Sequence, residues 1–149
     1  MFVYTITDGT QDNTANITIK VLGANDNPSA QNDVGVVNEG STLTVQNSAN
    51  ANVDGSFDAN GEHSGDVIHT TSSSHKDSDL DTSDTLSITQ IKKKVGGSNT
   101  SVSSGSSYNS SGTDVTGSYG TLTIGADGSY KYVASSDISG LSDGATVSD

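Results

Sequence analysis

Residues 121–133 read Thr-Leu-Thr-Ile-Gly-Ala-Asp-Gly-Ser-Tyr-Lys-Tyr-Val. Two runs of alternating apolar and polar residues, 121–124 and 129–133, flank a Gly-Ala-Asp-Gly turn. That pattern predicts an antiparallel hairpin, because side chains in a strand alternate between faces and an Asp-Gly pair suits a tight reversal. The same period of two recurs in 2–7, which ends at Asp8-Gly9, and in 16–22 and 41–46. It recurs again in 85–91, where Ile91 is offset by one place. No segment places apolar residues at helical spacing over a helix-length window. At most, 135–141 forms one short helical turn. The expectation is an all-β protein.

The chain has 149 residues, enough for one ordinary domain or two small ones. Eighteen acids against six lysines give a net charge of -12, and there is no arginine. Phosphate backbones are bound by clustered Lys or Arg, so nucleic acid is excluded as an expected partner. The only basic cluster, Lys92-Lys93-Lys94, follows a strand pattern and reads as protection of a sheet edge. No apolar run approaches the ~20 residues of a membrane-spanning helix. Cysteine is absent, which rules out disulfides and thiolate metal sites. Hydrophobic residues make up 30% of the chain, so any core is thin. Catalysis is not expected. The serines lie in low-complexity sequence without a nucleophile elbow, and the acid-rich stretches lack the apolar surroundings that tune a general acid.

Two segments, 47–79 and 96–118, are rich in Ser, Gly, Asn and Thr or Asp. They read as long polar loops in the β frame, and loops of that length usually carry a function or an ion. The single proline closes Asn25-Asp26-Asn27-Pro28, which follows a strand pattern and marks a junction at 23–28.

Asp77, Asp79, Asp81 and Asp84 stand at spacings of two and three. In an extended backbone, i and i+2 side chains project to one side, so Asp79 and Asp81 can share a cation. Calcium takes six to eight oxygen ligands, largely carboxylates and carbonyls. The alternative is an acidic loop that is simply solvated. The stretch is no EF-hand, since its sixth position is Thr82 and its twelfth Ile88. A second partial fit, 56–61, begins with Ser56 instead of Asp. His63, His69 and His75 recur every six residues, a spacing that fits no helix face, so zinc is the lesser reading.

The junction and hairpins also carry a resemblance. Residues 2–28, FVYTITDGTQDNTANITIKVLGANDNP, look like the closing hairpin and linker of a bacterial cadherin-like repeat. They are similar to the VCBS-type repeat of giant secreted adhesins. Asn38-Glu39-Gly40-Ser41-Thr42-Leu43-Thr44-Val45 fits the opening strand of the next repeat. Residues 79–89 fit its mid-repeat Asp-x-Asp pattern, and 117–132 fit its "GTYGTLTLNADGSYTYT" pattern.

This resemblance implies an Ig-like or cadherin-like antiparallel β-sandwich with long polar loop insertions. It implies a bacterial extracellular location, secreted or at the cell surface, and calcium at the inter-repeat junctions. It groups Asn25, Asp26 and Asn27 with Asp79 and Asp81, and places Glu39 at the far end, serving the following junction. Gly23 stands where the family has an additional Asp, so one junction ligand is missing.

By the same pattern, 1–22 is the closing hairpin of a preceding or neighbouring repeat, 23–28 the linker, and 29–149 a repeat lacking its last hairpin. The hairpin has three ways to be used: on its own sandwich, on a neighbouring chain, or on a covalently joined repeat. The expected function is structural. The chain would be a calcium-stiffened repeat or subunit of an adhesin or biofilm-matrix fibre, joined head to tail to copies of itself or to tandem repeats. A carbohydrate- or surface-binding module, or an accessory domain of a secreted enzyme, is the alternative.

Overall fold

The computed structural model describes residues 1–46, 53–54, 65–69 and 75–149. Among these, every ladder is antiparallel and there is no helix. The all-β expectation therefore holds. The strands are β1 (Phe2–Thr7), β2 (Asp12–Ile17), β3 (Thr42–Val45), β4 (Val53–Asp54), β5 (Gln90–Ile91), β6 (Thr100–Ser101), β7 (Thr113–Thr116), β8 (Gly120–Ile124) and β9 (Tyr130–Ala134). They form a five-stranded sheet in the order β4-β3-β9-β8-β7 and two separate two-stranded ribbons, β1-β2 and β5-β6.

The 121–133 hairpin forms as its pattern predicts. Leu122 faces Tyr132 and Ile124 faces Tyr130, and the Gly125 N–H donates to the Ser129 carbonyl at 2.9 Å. Gly128 closes the turn at φ +88°, a left-handed conformation that a side chain disfavours. Its neighbour β3 pairs Leu43 with Tyr132 and Val45 with Tyr130. Period-two alternation then sorts the side chains. Leu43, Val45, Leu122, Ile124, Tyr130, Tyr132 and Ala134 share one face, while Thr42, Thr44, Thr121, Thr123, Lys131 and Val133 share the other.

The apolar face is covered by irregular chain more than by a second sheet. Val102 and Ala126 join Leu43, Val45, Ile124 and Tyr130 in the buried cluster, and Val37, Val67, Ile88 and Ile91 pack against it. Of the expected strand 85–91, only Gln90 and Ile91 enter a ladder. The Ile88 N–H instead donates to the Ala126 carbonyl of the β8-β9 turn, and the Thr89 carbonyl accepts from Val102. Those bonds tie the segment across the core end of the sheet. The expected helical turn at 135–141 reduces to one reverse turn, Leu141 N–H to Ile138 carbonyl, at 3.0 Å.

The N-terminal ribbon departs from expectation in register. The pattern predicts a strand over 16–22, but β2 spans Asp12–Ile17. The cause is the Asp8 turn. One Asp8 carboxylate oxygen accepts the N–H groups of Thr10 and Gln11 and the Thr10 hydroxyl, at 2.7–2.9 Å. That tight reversal sets Thr7 opposite Asp12 and Phe2 opposite Ile17, which exhausts β1. Residues 18–22 keep their alternating pattern outside any strand. Every residue from 1 to 32 is exposed.

Two outcomes check this architecture. Val45 is fully buried between β4 and β9, so Val45→Ala removes two buried methyl groups. It should cost about 1–3 kcal/mol in urea unfolding, with an unchanged m-value. The bonds from Thr10 and Gln11 pull the Asp8 carboxyl down to about 2. A carboxyl depressed on folding stabilises above its unfolded value of 3.8 and loses that contribution as pH falls through about 2. Carbon-detected NMR titration should therefore find Asp8 still ionised at pH 3, and Asp8→Ala should loosen the Thr10 and Gln11 amides.

Candidate functional site

Residues 26–31 and the acidic loop are stitched together. Ser29 and Ser78 exchange both backbone hydrogen bonds, at 2.8 and 3.0 Å. The Gln31 N–H donates to an Asp77 carboxylate oxygen at 2.7 Å, and the Asp26 N–H donates to an Asp81 carboxylate oxygen at 2.7 Å. Residues 46 to 55 places apart in sequence are thus held side by side. Within the loop, the Asp81 N–H donates to Asp79 at 2.8 Å and the Asp84 N–H to the Asp81 carbonyl at 2.8 Å. These local bonds curl the chain so that three acids converge. One carboxylate oxygen from each of Asp79, Asp81 and Asp84 lies within 4.8 Å of the other two. Asp79 and Asp81 are half-buried, and Asp84 is exposed.

This group can hold a metal ion. Three carboxylates this close repel one another, and a cation would offset that repulsion. All the donors are oxygen, which suits a hard cation and not a thiophilic one. A carboxylate carries about four acceptor positions, so the bonds from Asp26 and Asp81 leave capacity for an ion.

The sequence candidates fall into three places. Asp79, Asp81 and Asp84 converge, and Asp26 touches them through its backbone. Asn25 spends its side-chain amide on the Asp26 carbonyl, at 2.8 Å, and Asn27 follows in the same exposed stretch. Asp77 stands outside the three-acid group and caps Gln31 instead. Glu39 lies elsewhere, accepting the Ile138 N–H. His63 and residues 56–61 lie outside the described residues. His75 bonds the Asn32 carbonyl at 2.5 Å, while His69 sits 3.3 Å from Asp66. Tyr108, an aromatic of the second polar segment, is half-buried, its N–H donating to Ser129.

Two features escaped sequence reasoning. Asp66 is fully buried, its one oxygen accepting the Ile68 and His69 N–H groups and its other without a hydrogen-bond partner among the described residues. The only signal was an acid beside the apolar pair Val67-Ile68. The second is a groove of about 1230 Å³ beside the partly buried Leu122 and Tyr132 of the sheet's apolar face. Leu43, Leu122, Tyr132 and Ala134 line its floor, with 33–39 and 141–149 at its sides. Asp149 anchors one side, accepting the Ser118 and Tyr119 N–H groups and the Tyr132 hydroxyl at 2.5–3.0 Å. Burial pushes the Asp149 carboxyl up, but those three bonds and the Lys93 charge outweigh it and hold it below its ordinary value. Burial also raises the two tyrosines. Tyr130 is pushed up to about 12, assisted by Asp33 and Asp66, and Tyr132 is raised further by its bond to Asp149.

With this geometry in hand, no protein family, curated protein or solved structure matches the chain.

The Asp149 anchor has a pH signature. A depressed carboxyl keeps its bonds above the ordinary value of 3.8 and releases them as pH falls through its lower folded value. The midpoint at which the Ser118 and Tyr119 amide resonances shift should lie below the ordinary carboxyl value of 3.8. Asp149→Asn should move both at neutral pH.

Proposed function

We propose that this chain is a structural repeat or subunit of a bacterial extracellular adhesin or matrix fibre, stiffened by calcium at the junction between units. The observation that carries the reading is the joint between the junction and the loop. Asp26 is tied directly to Asp81, one of the three convergent acids. An ion bound by Asp79, Asp81 and Asp84 would therefore act at the point where the N-terminal hairpin leaves the rest of the chain.

The mechanism is electrostatic and entropic. Without a cation, the three carboxylates repel and favour opening of the loop. A bound calcium would favour the closed loop, and with it the Asp26 and Ser29 bonds that fix the linker. Holding the linker in one geometry turns a flexible tether into a stiffer one. Module sites of this kind are weak, with Kd of ~10⁻⁴–10⁻³ M, a range that extracellular calcium reaches and cytosolic calcium does not. The resemblance of 2–28, 38–45, 79–89 and 117–132 to cadherin-like repeats points the same way. In this reading the exposed hairpin serves a neighbouring unit, giving head-to-tail assembly.

Calcium at ten to a hundred times Kd should stabilise the fold by about 1.4–2.7 kcal/mol. For a chain of this size that corresponds to a Tm rise of roughly 3–10 °C, reversed by chelator. Asp79→Asn combined with Asp84→Asn should abolish the rise and leave the chelated Tm unchanged or slightly higher. A melting temperature indifferent to calcium would refute the calcium reading.

A further inference from the structure

We infer that Asp66, together with His69 and Asp33, forms a second metal site, separate from the acidic loop and suited to zinc instead of calcium. It uses none of the junction residues and holds a different part of the chain.

The observation that carries it is an oxygen in the interior. Asp66 is 0% exposed, and both bonds it accepts, from the Ile68 and His69 N–H groups at 2.8 and 2.5 Å, fall on Oδ1. Its Oδ2 is buried with no hydrogen-bond partner among the described residues. A buried carboxylate oxygen in that state costs free energy until something satisfies it. A proton does not suffice. It would turn Oδ2 into an O–H donor, and the same search finds no acceptor for it. A cation satisfies the oxygen directly. Among the described residues, the one group ion-paired with Asp66 is His69, whose Nδ1 stands 3.3 Å from the already bonded Oδ1.

A second carboxylate stands nearby. Residues 33–35 lie against Tyr130, since a Cβ on Gly35 would stand 2.8 Å from the Tyr130 hydroxyl. Burial pushes that hydroxyl up to about 12, and the charges of Asp33 and Asp66 add to the effect. The half-buried Asp33 and the buried Asp66 thus flank one phenol. His75 bonds the Asn32 carbonyl at 2.5 Å, which fixes the stretch that carries Asp33.

The donor set selects the metal. Calcium takes six to eight oxygen ligands, a shell that an enclosed carboxylate beside one imidazole does not supply. Zinc closes its shell with four donors and accepts imidazole nitrogen and carboxylate oxygen at about 2.0–2.2 Å. Asp66, His69 and Asp33 offer three, and a water completes the four. Two carboxylate charges match a divalent ion. The three donors do not converge as closely as those of the acidic loop. Binding therefore draws His69 inward, and its side chain, 44% exposed, has room to turn and gives the ion a way in. The six-residue spacing of the histidines gave no reason to choose among them, whereas a buried acid three places before His69 does. An ion there would pin the turn 66–69 of the long polar segment onto the β8-β9 turn, where the Val67 N–H already donates to the Gly128 carbonyl at 3.2 Å.

The test titrates the untagged full chain, stripped with chelator, with zinc chloride by calorimetry and by NMR. Wild type should take up one zinc per chain, and the His69 ring resonances should shift with zinc but not with calcium. Asp66→Asn keeps the Oδ1 acceptor for Ile68 and His69 but replaces Oδ2 with an amide nitrogen that cannot ligate. It should weaken zinc binding by more than about a hundredfold, and His69→Ala by at least about tenfold. His69→Ala lies at an exposed position and decides the matter if Asp66→Asn does not fold. Asp79→Asn combined with Asp84→Asn should leave zinc binding unchanged.

A wild-type chain that takes up no zinc at millimolar concentration would overturn the inference. So would an affinity that His69→Ala leaves intact, or one lost in the Asp79/Asp84 double variant, which would assign the ion to the acidic loop. The calcium reading stands or falls separately. Zinc uptake at His69 in a chain whose melting ignores calcium keeps this site and removes calcium stiffening. A calcium-raised melting point in a chain that takes up no zinc does the reverse.

Discussion

An amphipathic sheet is stable only if its apolar face is kept from water, and that requirement governs this molecule. The five-stranded sheet sets Leu43, Val45, Leu122, Ile124, Tyr130, Tyr132 and Ala134 on one side. The chain has little apolar material with which to cover them, since hydrophobic residues are 30% of the total. A group of eight on the hairpin and its extension, from Phe2 to Leu22, is spent on an element that stays exposed. The cover that remains comes from loops. Ile88 is held against the core by its bond to Ala126 of the β8-β9 turn, Val102 by its bond to Thr89 and Ile91 by its pairing with Thr100, while Leu122 and Tyr132 stay only partly buried. The groove is what this shortage leaves behind.

The acids follow from the same economy. A chain of net charge -12 with a thin core has much repulsion to offset. Its charges are not spread evenly. Asp8 and Asp149 are each held by several hydrogen bonds, one organising a turn and the other a groove wall. Asp77 and Asp81 hold the junction through backbone N–H groups. Asp79, Asp81 and Asp84 converge where a cation would offset their repulsion.

Much of the local structure was legible. The 121–133 hairpin, its Gly128 turn and the alternation of β3 could be read because a strand's side-chain period is local information. The acidic loop was legible for a similar reason, as i and i+2 spacing constrains which side chains can meet. Elsewhere the pattern misled. Residues 16–22 and 85–91 alternate as well as any strand in the chain, yet they pair only over Asn16–Ile17 and Gln90–Ile91. Alternation says which face a residue would take in a ladder. It does not say whether a partner strand is present, and here the Asp8 turn and the Ile88–Ala126 bond withheld one.

The sequence by itself determined the all-β class, the strongest hairpin and the loop in which acids could gather. Each depends on residues close in the chain. Only the tertiary structure decided that Asp84 and not Asp77 completes the acidic group, that Asp26 leans on Asp81, and that Glu39 turns to Ile138. It alone revealed the buried Asp66, the Asp149 anchor and the open groove. These depend on contacts between residues tens of positions apart, and the free energy of such contacts is set by the packed whole and not by any local pattern.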